Sequence, residues 1–301
     1  MTFSHCLLTL ATVMVWGFNY VVIKWGLLGI PPVLLSALRF GLAALPWVFF
    51  LPRPRISFRL LAIFALFQFV LQLTLLFVGM HLGMPAGLSS LVIQLQSVFT
   101  IGLAAIFLGD RPRRMQLLGA PLALAGIVLV GFHIEARTTL LGFAMVSAAG
   151  LAWSFGNILT KRIGQVDALA LVVWGSLLAS PCLLVLSLAM EGPALIWTSL
   201  ARLSWASVGV ILFLAYPATL FSFTAWTYLM RHYPAATIAP FSLLVPVFGM
   251  LSSMLFLGET MTWWKLMAGV LVLGGLALNQ FGEQLIVFFR GALTFRNDSS
   301  S

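Results

Sequence analysis

Apolar stretches of about 20 residues, the length a helix needs to cross a hydrocarbon core, follow one another through this 301-residue chain with only a few polar residues between them. That succession leaves little choice of fold. Inside a bilayer every backbone N–H and C=O must be satisfied within the spanning structure, so only helices and closed barrels cross. Barrel strands are about 10 residues long and alternate in polarity, and no segment of this sequence alternates that way. Ten helical spans can be drawn, over 5–28, 32–51, 60–82, 86–108, 115–132, 139–160, 168–190, 205–229, 235–257 and 263–282. Pro31, Pro32, Pro85, Pro193 and Pro234 mark most of the turns. The connections are short, so neighbouring spans run antiparallel, and nothing is left over for a separate soluble domain.

Only 8% of the residues are charged, against about 25% in a soluble protein, yet the net charge is +9. The excess is not a nucleic-acid footprint, because it follows membrane sidedness. Eleven of the 16 basic residues fall in loops 2–3, 4–5, 6–7 and 8–9 or after span 10: Arg53, Arg55, Arg59, Arg111, Arg113, Arg114, Lys161, Arg162, Arg231, Arg290 and Arg296. The opposite loops hold Arg137, Arg202 and Lys265, and Lys24 and Arg39 lie within spans. Positive loops stay in the cytoplasm, so both termini are expected there. Span 1 lacks the basic lead of a cleaved signal. Cys6 and Cys182 offer neither a disulfide framework nor metal-ligand spacing.

The sequence also repeats itself. Trp16-Gly-Phe18 followed by Lys24 matches Trp153-Ser-Phe155 followed by Lys161. Later, Val98-Phe99, Phe107-Leu-Gly-Asp110 and Gly126 match Val247-Phe248, Phe256-Leu-Gly-Glu259 and Gly275. The spacing grows where the loop from Glu191 to Ser204 is long. Residues 1–135 and 139–290 thus read as duplicates, followed by a tail at 291–301. A unit with an odd number of spans enters the membrane upside down the second time. The expected fold is an all-α membrane protein of ten transmembrane helices, built as two inverted five-helix repeats. In that architecture the binding site lies near the midplane between the repeats.

Lipid penalises polar side chains, so those kept inside spans need a reason. Trp16, Asn19 and Tyr20 share one face of span 1, and Trp153 and Asn157 share the equivalent face of span 6. Gln68 and Gln72 are one turn apart on span 3, whereas Gln94 and Gln96 point in different directions. His81, Tyr216, Thr219, Ser222 and Tyr228 complete the pool. Singly, such residues read as interhelical glue, at about 0.6 kcal/mol each. Their concentration on spans 1, 3, 4, 6 and 8 reads as a cavity for a small zwitterion or polar solute. The candidate substrate-binding set is therefore Trp16, Asn19, Tyr20, Gln68, Gln72, His81, Gln94, Trp153, Asn157, Tyr216 and Tyr228, with Lys24 and Arg39 as gate or charge residues. Snorkelling explains Lys24. Arg39 is deeper, roughly 10 Å into span 2, and needs a partner: a helix carbonyl, Glu259 or a substrate carboxylate.

No Asp or Glu lies mid-span, so the carboxylate relay of a proton-coupled exporter has no candidate, and coupling would run through His81 or be absent. Asp110 and Glu259 read as N-caps of spans 5 and 10, replaceable by Asn. Gly119, Gly126, Gly269, Gly274 and Gly275 give spans 5 and 10 small faces, for packing or for a dimer contact. Span 10 is otherwise apolar, which assigns Trp264 to lipid. Pro217, Pro240 and Pro246 interrupt spans 8 and 9 and free carbonyls toward a cavity. Motifs of membrane enzymes and phosphate loops are missing, so no catalytic residue, cofactor or metal is expected.

The Trp-Gly-Phe-Asn19 opening, Leu38-Arg39-Phe40, the paired Phe-Leu-Gly-Asp/Glu corners and the Gly-rich spans 5 and 10 together resemble the EamA family of the drug/metabolite transporter superfamily, over nearly the whole chain. Three stretches, Trp16 to Gly26, Gly83 through Gln94 and Gln96, and Ser242 to Val247, resemble most the branch that exports cysteine and O-acetylserine. The resemblance implies an inner-membrane exporter of neutral amino acids, aromatic ones included, working by alternating access as a monomer or homodimer in the lipid bilayer. Transporters of sugar phosphates and nucleotide sugars share the superfamily architecture. They need several cavity cations, for which Lys24 and Arg39 are the available pair.

Overall fold

A computed structural model describes residues 1–133, 139–164, 166–233 and 238–298, with side chains up to Gln280 except at 227, 230, 231, 239 and 240. Arg137 and Pro234, used above for charge and turns, lie outside the described residues. The helices are α1 (Phe3–Gly26), α2 (Pro32–Ala44, with a further turn at Trp47–Phe49), α3 (Phe58–His81), α4 (Ala86–Leu108), α5 (Arg114–Phe132), α6 (Leu140–Ile163), α7 (Ala168–Met190), α8 (Trp205–His232), α9 (Ala239–Leu257) and α10 (Trp263–Asp298). Eight of them are long and apolar enough to cross a membrane, and Phe241–Leu257 is a shorter apolar helix. The chain is a multi-pass, all-α membrane protein throughout the described residues. The long loop before α8 contains its own helix, Pro193–Ala201, and α10 runs on to Asp298.

The two halves share their local geometry. Both α1 and α6 are 24 residues long, start 137 residues apart (3 and 140), and are capped by Thr2 and Thr139, whose hydroxyls accept from His5 N and Gly142 N. Such caps satisfy backbone donors that the first helical turn leaves free. The distal parts of α4 and α9, Leu95–Leu108 and Leu244–Leu257, are 14 residues each. Both end on a left-handed glycine, Gly109 (φ 68°) and Gly258 (φ 65°). The next amide, of Asp110 or Glu259, returns to the carbonyl of Ala104 or Ser253, near the end of the helix. The repeated Phe-Leu-Gly corner is thus a helix stop.

Packing follows the same symmetry. Helix α1 packs on α8 and α9 as α6 packs on α3 and α4, and α2 packs on α8 as α7 packs on α3. The pairs α2–α7, α4–α9 and α5–α10 join counterparts. Where α5 meets α10, a methyl at Gly119 or Gly275 would press into the other helix's backbone, and one at Gly126 would meet Ala268. These glycines are used inside the chain, where close backbone approach replaces the hydrophobic drive that lipid does not supply. Trp264 is not a lipid residue: it is 6% exposed and stacks on His133 at 5.0 Å. Trp263, 70% exposed, takes the outward position.

Candidate functional site

Two helices widen at matching depths. Leu66–Leu71 of α3 and Tyr216–Phe221 of α8 are π-helical turns, a form that concentrates at functional sites because it costs regular hydrogen bonding. In α8 the cause is visible. Pro217 has no N–H to give, and side chains serve the carbonyls that the wide turn leaves: Thr219 Oγ1 donates to Leu214 O and Ser222 Oγ to Pro217 O, both at 2.8 Å. Two further helices are interrupted. Helix α4 breaks at Ile93–Gln94, and α9 begins with a 3-10 turn at Ala239–Leu243.

The first cluster forms where α1 and α2 meet the wide turn of α8. Trp16 Nε1 donates to Ala218 O at 3.3 Å, and its ring lies edge-on to Phe223 at 5.8 Å and tilted to Trp226 at 5.2 Å. One turn on, Asn19 and Tyr20 are buried. Arg39 is 6% exposed, and its Nε donates to Thr219 Oγ1 at 3.0 Å. Its guanidinium also lies 5.7 Å from the Phe40 ring. Tyr216 opens the wide turn itself. Two members of the expected set, Trp16 and Arg39, therefore meet consecutive residues of one segment, Ala218 and Thr219.

The second cluster is its counterpart on α3, α4 and α6. Gln68, on the wide turn of α3, packs its amide over Gly156 of α6, where a methyl would overlap it. Gln72 lies buried one turn further on. Asn157 Nδ2 donates to Gln96 Oε1 at 2.8 Å and Thr100 Oγ1 at 3.1 Å, and Ser154 Oγ donates to Gln96 O at 2.9 Å. Gln94 sits at the break of α4, and Trp153 packs against the core. Sequence reasoning missed Gln96 and Thr100 as the partners of Asn157; the signal was the opposite direction of Gln94 and Gln96, which left one of them for α6.

Three placements differ from expectation. His81 is exposed in the last turn of α3. Tyr228 is 41% exposed near the end of α8, where its hydroxyl lies 3.3 Å from His5 Nε2. Both are too far along their helices to reach the wide turns. Lys24 donates to Met80 O at 2.9 Å, so its charge serves a helix end. An open pocket of about 380 Å³ lies between α4, α5 and α6 against Phe99, Leu124, Ile127, Val128 and Phe143, with Ser147 as its polar group. It is apolar and belongs to neither cluster.

The acids also differ from expectation. Neither caps the helix that follows it: at the start of α5 it is Gln116 Oε1 that accepts, from Arg113 N at 2.9 Å. Asp110 instead pairs with Lys161 at an exposed position. Glu259 accepts from Ala86 N at 2.7 Å and Gly87 N at 3.1 Å, capping α4 of the other half. Glu191 does the same for α2, accepting from Val33 N at 2.7 Å and Leu34 N at 3.0 Å. Proline occupies the position before each of these helices, Pro85 and Pro31. It carries no side-chain acceptor, so the caps come from elsewhere in the fold.

The chain matches the EamA-like transporter family over residues 3–132 and again over 140–281. A protein of Salmonella typhimurium named "Probable amino-acid metabolite efflux pump" is 40% identical, covering 91% of this chain and 94% of its own. Its Escherichia coli namesake is 38% identical with the same coverage. An uncharacterized transporter of Bacillus subtilis is 24% identical across 90% of this chain and 95% of its own. A solved structure described only as "Crystal structure of protein" superposes with a TM-score of 0.62 over 92% of this chain and 97% of its own. At 18% identity, that is a likeness of fold.

Proposed function

The chain belongs to the EamA-like transporter family, and we propose that it exports neutral amino acids and related small metabolites across a bacterial inner membrane. The repeats, 1–135 and 139–290, are inverted in the membrane and rock against each other to expose a central site in turn. The observation that carries this reading is the meeting of in-span polar groups with a wide turn in each half: Trp16 and Arg39 at α8, and Gln68 with its neighbours at α3. Polar groups held at irregular backbone are what a solute pathway requires of a membrane protein. The names of the relatives from Salmonella typhimurium and Escherichia coli support an amino-acid metabolite as cargo. A sugar-phosphate cargo needs several cations, and with Lys24 engaged by Met80 O one remains at the clusters.

Overexpression in bacterial cells is expected to raise one or a few neutral amino acids in the medium several-fold above a vector control. A medium unchanged across all amino acids, from cells that hold the protein in the membrane, would refute the reading. Orientation has its own test. Reporter fusions at Arg55, at Arg113 and after Arg290 are expected to report the cytoplasm, and one at Gly192 the outside. A cytoplasmic signal at Gly192 breaks the inverted repeat.

A further inference from the structure

We infer that Arg39 and Asn19 form the recognition pair for a zwitterionic substrate, Arg39 taking the α-carboxylate and Asn19 the α-ammonium. The inference rests on the export reading above and names the chemistry of its site. Five buried side-chain atoms have no hydrogen-bond partner among the described residues: Asn19 Oδ1, Arg39 Nη1, Thr74 Oγ1, Ser176 Oγ and Thr262 Oγ1. Three are hydroxyls, small groups that a helix interior tolerates. The other two are an amide oxygen and a guanidinium nitrogen, 9% and 6% exposed as residues. A cation inside the membrane is costly unless it is paired.

Arg39 has no carboxylate partner among the described residues. Asp110 faces Lys161, Asp167 caps Ala170, Glu191 caps α2, and Glu259 caps α4. Thr219 takes only Nε, which leaves the outer edge of the guanidinium, the edge that grips a carboxylate with two parallel bonds. Asn19 supplies the complementary group, because an amide oxygen accepts from an ammonium. The helices that carry the two residues meet at one turn of α8. Trp16, on the face of α1 that carries Asn19, binds Ala218 O, and Arg39 binds Thr219, the next residue. A donor for an anion and an acceptor for a cation beside one wide turn match the two ends of an amino acid. Both groups are closed over here, so the site forms when α8 parts from α1 and α2, a movement that a π-helical turn accommodates.

The test uses full-length protein in proteoliposomes with L-cysteine and L-phenylalanine as solutes, each paired with its carboxylate-free amine, cysteamine or phenethylamine. Wild-type vesicles are expected to take up the amino acids about ten-fold or more faster than the amines, a discrimination of about 1.4 kcal/mol or more. Arg39→Gln is expected to lose that preference together with most amino-acid uptake. Arg39→Lys keeps part of it, since a point charge lacks the fork. The exposed Arg202→Gln leaves both unchanged. A monodisperse Arg39→Gln protein that still prefers amino acids overturns the proposal. Should Arg39→Gln fail to fold, competition on wild type decides: excess amine that blocks amino-acid uptake as well as the amino acid itself overturns it, and amine that does not compete supports it. Vesicles that move a hexose phosphate and neither amino acid would refute the export reading itself.

Discussion

Trp16→Ala is expected to cut export about ten-fold or more while the protein still reaches the membrane. The indole fills the seam between α1 and the wide turn of α8, against Phe223 and Trp226. Large-to-small changes of this kind cost about 3–5 kcal/mol when the site cannot collapse. Removing the indole N–H also strips Ala218 O of its 3.3 Å bond, at about 1–3 kcal/mol for a buried acceptor left unpaired. The loss falls on the contact that must open and close in transport, so flux suffers before folding does. Trp16→Phe separates the two effects: it restores most of the packing without the hydrogen bond and is expected to recover part of the flux. Trp153, the counterpart in α6, packs against the core, and its replacement by alanine is expected to cost less. The lipid-facing control is Trp263. Export at the wild-type rate from Trp16→Ala would remove α1 from the pathway.

Much of this was legible in the residues themselves. The recurring apolar stretches placed the helices, because a bilayer admits few alternatives. The duplicated Trp16 and Trp153 motifs located equivalent helices, and the Phe-Leu-Gly corners located equivalent helix stops. The wide turn of α8 had a signal in Pro217. That of α3 had none: Leu66–Leu71 contains no proline or glycine, and its geometry answers to packing against α6 and α7. Side-chain partners were the least legible. The apolar stretches placed Asn157 and Gln96 within spans without saying that they meet. The caps from Glu259 and Glu191 cross 173 and 158 residues of chain at their farther contacts, a separation no local rule reaches. His81 and Tyr228 were grouped with the site by polarity alone, and their positions near helix ends place them away from the wide turns.

Glu259→Ala is the second substitution expected to act strongly, and it reverses the tolerance that a simple cap on span 10 would imply. The carboxylate sits at the start of α4, where free N–H groups and the helix dipole favour an anion. Its two bonds, to Ala86 N and Gly87 N, are charge-assisted and contribute about 1.5–3 kcal/mol each. The fit is close: a side chain at Gly87 would meet Ser253 Oγ and Glu259 Oε2. The corner after α9 is thereby tied to α4 across the two halves, at the end of the bundle away from the arginine-rich loops. Cutting the tie leaves two amides without acceptors. The thermal midpoint in detergent should fall by several degrees, and that end of the bundle should open more readily. Opening is read directly with Ser90→Cys, a buried position on α4, placed in a chain whose Cys6 and Cys182 are replaced by serine. With Glu259→Ala added, Ser90→Cys should react several-fold faster with a membrane-impermeant thiol reagent, and export should drop because one closed state is lost. Glu259→Gln keeps one acceptor oxygen and falls between. Asp110→Ala is the contrast, since its exposed pairing with Lys161 is of the surface kind that contributes about 0–1 kcal/mol. Equal thiol reactivity, melting and flux in Glu259→Ala and wild type would show that the carboxylate decorates the corner without holding it.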